Sequence, residues 1–318
     1  MRQLQFPTAY FDEETRDGFT ISVMMKHVWA AQVEVLYTIT QFCEKHNITY
    51  YADWGTLLGT IRHKGFIPWD DDLDICMKRE DYLRFMTLFL KEMPKSYELL
   101  SPYTSENYYQ YFMRVVNSKC INVEHEWMDE FHGCPYSVGV DIFPLDYIPR
   151  NKEDAFVQQE LIGVIATTAE NLEKKKDMEH TVKEIHKIED ACQVKLDWNQ
   201  SIVNQLYRLV DQMSGIFKEE ESDSLAKIFA LFEYPNAIFQ KEWYDETILM
   251  PFEGMNLRVP KDYDKILTNL YGDYMTPVIS TKGHDYPFYK GQEEILLQKL
   301  EKANNEHTLE EFIAQYRY

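Results

Sequence analysis

Between Ile21 and Phe42 apolar residues follow an i, i+3, i+4 pattern: Ile21, Met24, Val28, Trp29, Val33, Leu36, Ile39 and Phe42. That stripe predicts an amphipathic helix over residues 20–46. The next run, ITYYAD (48–53), is β-branched and aromatic and predicts a strand, which Gly55 breaks. TLLGTIRHK (56–64) reads as a short helix stopped by Gly65. DLDICM (72–77) alternates and predicts a strand, and REDYLRFMTLFLKEM (79–93) predicts a helix ended by Pro94. YYQYFMRVV, CINVEHEW and SVGVDIF (137–143) suggest three further strands, the last stopped by Pro144.

Beyond Pro149 the pattern changes. Residues 151–232 are almost free of glycine and proline and read as helical throughout. ILMPFEGMNLRVP (248–260) returns to strand-turn-strand, with Glu253-Gly254 at the turn, and DYDKILTNLY (262–271) and the tail 290–317 read as helices. The prediction is an α+β protein: a catalytic core over 1–150, a helical insertion over 151–235, and a return to the core with C-terminal helices over 236–318.

Composition narrows the class. Hydrophobic residues make up 45% of the 318 and aromatics 14%, enough for a sizeable core and against disorder. The formal charge of −20 argues against nucleic acid or anionic lipid as a partner unless basic residues gather locally. Five scattered cysteines without a CxxC pair fit reduced thiols in a cytoplasm. The N-terminus has no apolar run of signal-peptide type, and no stretch is apolar enough to span a bilayer, so any membrane contact is expected to be peripheral.

The chemistry concentrates in GFIPWDDDLDICM (65–77). Four carboxylates, Asp70, Asp71, Asp72 and Asp74, lie within five positions between two apolar flanks. On a strand, Asp72 and Asp74 share a face, with Cβ atoms roughly 6.5–7 Å apart, while Leu73 and Ile75 point to the core. Two such carboxylates repel unless a cation lies between them, and an all-oxygen pair suits Mg²⁺ or Mn²⁺. Asp141, embedded in VGVDIF, is the candidate third ligand. Asp70 has the right parity if Pro68-Trp69 leaves the strand intact, and Asp71 is expected to face solvent or cap a loop. Gly55-Thr56 follows a strand and opens a helix, the setting of a backbone anion pocket. The competing reading of the acids is a solvated surface loop.

GTLLGTIRHKGFIPWDDDLDI closely resembles the signature of the LicD family of phosphocholine transferases, which decorate bacterial surface glycans. GVDIFPLDYIP (139–149) and LYGDYM (270–275) resemble its later blocks, so the likeness covers roughly residues 25–150 and 245–285. The resemblance implies a nucleotidyltransferase-type mixed sheet with flanking helices. Gly55-Thr56 matches its turn, Asp72 and Asp74 its paired acids, and Asp141 its third acid. It further implies transfer of phosphocholine, or a similar phospho-alcohol, from CDP-choline or another CDP-alcohol to a hydroxyl of a glycan or glycolipid, with release of CMP. Asp72, Asp74 and Asp141 would hold the metal, Asp70 or Asp141 would take the acceptor's proton, and Gly55 and Thr56 would hold a donor phosphate.

Cations to offset the developing charge are sought in Arg62, Arg114 and Lys119; for Arg62, His63 and Lys64 the competing reading is charge placed at a helix C-terminus. HEWMDEFH (125–132) sets His125, Asp129 and His132 at helical spacing, either a zinc face or an exposed polar helix. Trp69 either stacks an ammonium or packs a sheet edge. Tyr103, Tyr108, Tyr109 and Tyr111 either line an alcohol or sugar pocket or simply pack. Tyr271 and Asp273 are expected in a structural turn near the site, Cys76 as a structural thiol, and His284 as a surface residue. The rival functions are nucleotidyl transfer, which releases pyrophosphate instead of CMP, and a non-catalytic binding module.

Overall fold

The structure is a computed structural model that describes residues 3–279 and 286–302; His284 and the end of the predicted C-terminal helix lie outside them. A hairpin, β1 (Glu14–Arg16) and β2 (Phe19–Ile21), leads into helix α1 (Val23–His46). Ser22 caps α1 by accepting the Met25 N–H at 3.2 Å, and Asn47 ends it in the left-handed conformation. The predicted amphipathic helix is in fact buried on nearly every side. Its polar residues are tolerated because each finds a partner. Lys26 pairs with Glu14, Gln32 donates to the Asp71 carbonyl at 2.8 Å, and Glu34 accepts from the Gln3 and Leu4 N–H groups and meets His132 Nε2 at 2.9 Å.

Next come β3 (Tyr51–Ala52), α2 (Trp54–Arg62), β4 (Asp74–Lys78), α3 (Arg79–Glu92), β5 (Glu98–Leu100), β6 (Met113–Val116), α4 (His125–Glu130) and β7 (Gly139–Pro149). Two expected strands shrink or vanish. Of YYQYFMRVV only Met113–Val116 pairs, because the rings of Tyr109 and Tyr111 turn aside to stack on Tyr207. CINVEHEW holds no strand and runs into α4. The sheet order is β3-β4-β7-β6-β5, with β4 and β7 parallel and the other pairs antiparallel.

Pro144 does not stop β7. One edge of β7 pairs with β4 as far as Leu145, while the other changes partner, from β6 up to Ile142 to a later strand from Asp146 onward. Pro144 falls in that gap, where a ladder donor is least needed.

Helices α5 (Lys152–Glu173), α6 (Met178–Cys192) and α7 (Ile202–Ser214) follow. The predicted helical run breaks off at Gly215, and the chain rejoins the sheet as β8 (Ser222–Ala226), antiparallel to β7 and extended by β9 (Ile238–Gln240). Hairpin β10 (Thr247–Phe252) and β11 (Met255–Pro260) turns at Glu253 and Gly254, both at positive φ, as the sequence anticipated. Helices α8 (Tyr263–Tyr271) and α9 (Lys290–Lys302) complete the mixed α+β fold. No described helix is long and apolar enough to cross a membrane.

Candidate active site

The acid strand begins later than its sequence suggests. Asp74 opens β4, and Asp72 sits just before it. Leu73, between the two acids, accepts the Asp141 N–H at its carbonyl at 2.8 Å. Asp74 lies opposite Asp141 in the parallel β4–β7 register, and Cys76 lies opposite Phe143, so both acids project from one face of the sheet. On the far side of β7, Arg114 lies opposite Asp141 and grips it with Nε on Oδ1 and Nη2 on Oδ2, the latter at 2.6 Å.

The electrostatics agree with this convergence. Burial, reinforced by the charges of Asp72, Asp141, Asp53 and Asp70, pushes the Asp74 carboxyl well above the usual carboxylate range. Burial and the neighbouring Asp72 do the same to Asp70. Burial also raises Asp141, against the pull of Arg114. Among the described residues no basic side chain forms an ion pair with Asp70, Asp72 or Asp74. Oxygens of Asp70, Asp71 and Asp72 also come within 4.8 Å of one another. Asp70, Asp72 and Asp74, crowded together and without a basic partner among the described residues, offer all-oxygen donors that fit a hard divalent cation.

Asp71 departs from expectation. It is fully buried and accepts the Phe288 N–H at 2.7 Å, tying the acid loop to the segment before α9. Two α1 side chains hold the same loop by its carbonyls: Trp29 Nε1 donates to Asp70 at 3.1 Å, and Gln32 donates to Asp71. With its backbone gripped from α1, the loop presents Asp70 and Asp72 toward Asp74.

Gly55 and Thr56 serve these acids directly. A Cβ on Gly55 would lie 2.3 Å from Asp70 Oδ2, so glycine is what lets that carboxylate approach the start of α2. Thr56 is buried, and its hydroxyl accepts the Asp74 N–H at 2.8 Å, fixing the first residue of β4. The Asp70 carboxylate thus stands against Gly55, beside the helix start where a donor phosphate is expected.

The other predicted cations lie elsewhere. Arg62 ends α2, roughly 10 Å along its axis from Gly55, and donates to the Tyr274 carbonyl at 2.7 Å. Lys119, beyond β6, pairs with Glu98 on the outer strand β5. His132 is buried against Glu34 while His125 is exposed, so the zinc spacing does not form one face. Trp69 packs edge-on to Phe19 at 6.4 Å. Tyr271 ends α8 with its hydroxyl in the field of Asp53, Asp74 and Asp70, and Asp273 accepts from Thr276 Oγ1 at 2.7 Å in the turn that follows.

One ion pair beside the site was not among the residues expected from the sequence. Asp53, at the cap position of α2, does not cap it; its carboxylate instead meets Lys227 Nζ at 2.8 and 3.0 Å, and both residues are buried. The available signal was a lone lysine inside the apolar run SLAKIFALF.

The family described as "LicD/FKTN/FKRP, nucleotidyltransferase domain" matches residues 47–160, the segment from β3 into α5 that carries every acid of the cluster. Over residues 47–160 this chain is similar to the LicD family. The chain is also 27% identical over 242 residues to the lipopolysaccharide cholinephosphotransferase LicD of Haemophilus influenzae, covering 73% of this chain and 84% of that protein. An uncharacterized protein of Rickettsia typhi is 52% identical over 44 residues, 14% of each chain. The longer of these two likenesses shows that similarity to LicD extends well beyond the 47–160 domain.

Proposed function

We propose that the protein transfers phosphocholine from a CDP-linked donor to a hydroxyl of a lipopolysaccharide-type glycan, releasing CMP, in a reaction that depends on Mg²⁺ or Mn²⁺. The observation that carries this reading is the pairing of Asp74 with Asp141 in adjacent parallel strands of the LicD-like segment. Asp72, Asp74 and Asp141 would hold the cation. When bound, it would neutralise charge on the transferring phosphoryl group and the attacking oxygen. Arg114 holds both oxygens of Asp141 and fixes the orientation of that carboxylate. Asp70, half-buried and held above the ordinary carboxylate range, is placed to accept the acceptor's proton. The acceptor oxygen forms the new bond to the donor's β-phosphorus as the bond to CMP breaks.

The released nucleotide tests this. With CDP-choline, Mg²⁺ and lipopolysaccharide lacking phosphocholine, ³¹P NMR is expected to show CMP and a new phosphodiester. Pyrophosphate, from a nucleoside triphosphate and a sugar phosphate, would instead establish nucleotidyl transfer. Metal binding has its own readout. The raised carboxyls must lose protons to a cation, so Mg²⁺ should raise the melting temperature more at pH 8 than at pH 5.5. Equal shifts at the two pH values would exclude these acids as its ligands.

A further inference from the structure

A cleft of about 1150 Å³ opens between helices α5 and α6 and the sheet face that carries Asp141. Phe143, two residues along β7 from Asp141 and on the same face, lies in its wall. So do Trp54 and Tyr234, whose rings meet at 5.1 Å and 54° to form an aromatic corner. Glu160, Glu173 and Glu233 line the same cleft and form no ion pair among the described residues, whereas its lysines, Lys174 and Lys227, are already paired with Glu170 and Asp53. The cleft is thus aromatic and anionic.

Trp54 is the unusual member. It is a bulky residue at φ +41°, a strained conformation that persists only where the surroundings enforce it. Lys227 Nζ lies 4.3 Å from the indole centroid, so this ring already holds one cation. Its chain neighbours belong to the acid site: the Asp53 N–H donates to the Asp74 carbonyl at 3.0 Å, and Gly55 abuts Asp70.

We infer that the corner formed by Trp54 and Tyr234 seats the quaternary ammonium group of the donor, beside the acids that handle its phosphate. This rests on the phosphocholine reading above. In phosphocholine only an ethylene bridge separates phosphate from ammonium, so the ammonium site must adjoin the acids, and Trp54 does. Aromatic faces within an acidic wall favour a weakly hydrated cation over the neutral cytosine ring at the other end of the donor.

The test compares phosphocholine with its neutral isostere, 3,3-dimethylbutyl phosphate, in binding to the full chain followed by calorimetry. Wild type is expected to prefer phosphocholine by about tenfold. Tyr234→Leu and Trp54→Leu should each cut that preference severalfold while leaving the isostere's affinity in place, and Tyr234→Phe should retain it. Tyr234 is half-exposed, so its variants report even if Trp54→Leu does not fold. Equal affinity of wild type for the two ligands, or a preference unchanged in Tyr234→Leu, would overturn the site. Loss of CMP affinity with unchanged phosphocholine preference would reassign the corner to the base. Transfer of phosphocholine without the preference would remove this site and leave the reaction standing. The preference without transfer would do the reverse.

Discussion

Replacing Asp74 with asparagine is expected to cut turnover by about 10³-fold and, in the metal-free protein, to raise the melting temperature. Both effects have one origin. Asp74 is a buried carboxylate in the field of Asp72, Asp141, Asp53 and Asp70, without a cationic partner among the described residues. Its charge is costly to the fold and, on the function proposed above, would serve a bound cation. Losing a ligand that supplies several kcal/mol of transition-state stabilisation corresponds to a factor of this size. The amide of Asp74→Asn would keep the shape and relieve the repulsion, a trade of activity for stability. Asp141→Asn provides the contrast. It should also be inactive, yet less stable than wild type, because it strips Arg114 of its bidentate partner. Steady-state assays with Mg²⁺ and melting curves in chelator measure the two effects. Turnover of Asp74→Asn within tenfold of wild type would end the metal assignment, and a drop in its apo melting temperature would end the repulsion argument.

Arg79→Met is expected to destabilise the protein by about 3–5 kcal/mol, the cost of orphaning buried charge. Arg79 is the first residue of α3, and its guanidinium is buried. Nε and Nη2 donate to Asp146 of β7 at 2.6 and 2.8 Å, and Nη1 donates to Asp211 of α7 at 2.6 Å. Tyr103 completes the network by donating to the other Asp211 oxygen at 2.8 Å. One side chain thereby bolts a core helix, the long central strand and the helical segment together. Gly215 is part of the fitting, since a Cβ there would stand 2.9 Å from Arg79 Nε. Removing only the cation leaves two carboxylates desolvated. Neutralising them as well, in Arg79→Met with Asp146→Asn and Asp211→Asn, should recover much of the loss. Urea unfolding midpoints decide the matter. A triple variant no more stable than Arg79→Met would show that packing of the arginine stem, not its charge, carries the effect.

Several elements were legible because their cause is local. The spacing of apolar residues marked α1 and α3, and Glu253-Gly254 marked the turn between β10 and β11. The alternation at Asp72, Leu73 and Asp74 pointed to the acid that opens β4, and the lone acid in VGVDIF supplied its neighbour. Local pattern misled where a segment's surroundings overrule it. Burial on nearly all sides of α1 is invisible in a stripe that looks one-sided. β8 was lost in a run almost without glycine or proline, because the free edge of β7 draws those residues into a strand. Pro144 reads as a stop only to an observer unaware that β7 changes partners there.

By itself, then, the amino-acid order determined the inventory: the acid-x-acid pair, its glycine-threonine turn, the third aspartate, and the family signature they compose. Only the tertiary structure decided how these parts are used. It filled the space beside Gly55 with Asp70, turned the Thr56 hydroxyl onto the Asp74 N–H, carried Arg62 and Lys119 off to other partners, and buried Asp71. It brought Lys227 to Asp53 across 174 positions of chain. The reason is physical. Periodicity and turn chemistry act over a few residues, whereas burial, charge pairing and strand partnership are set by whichever distant segments the fold places alongside.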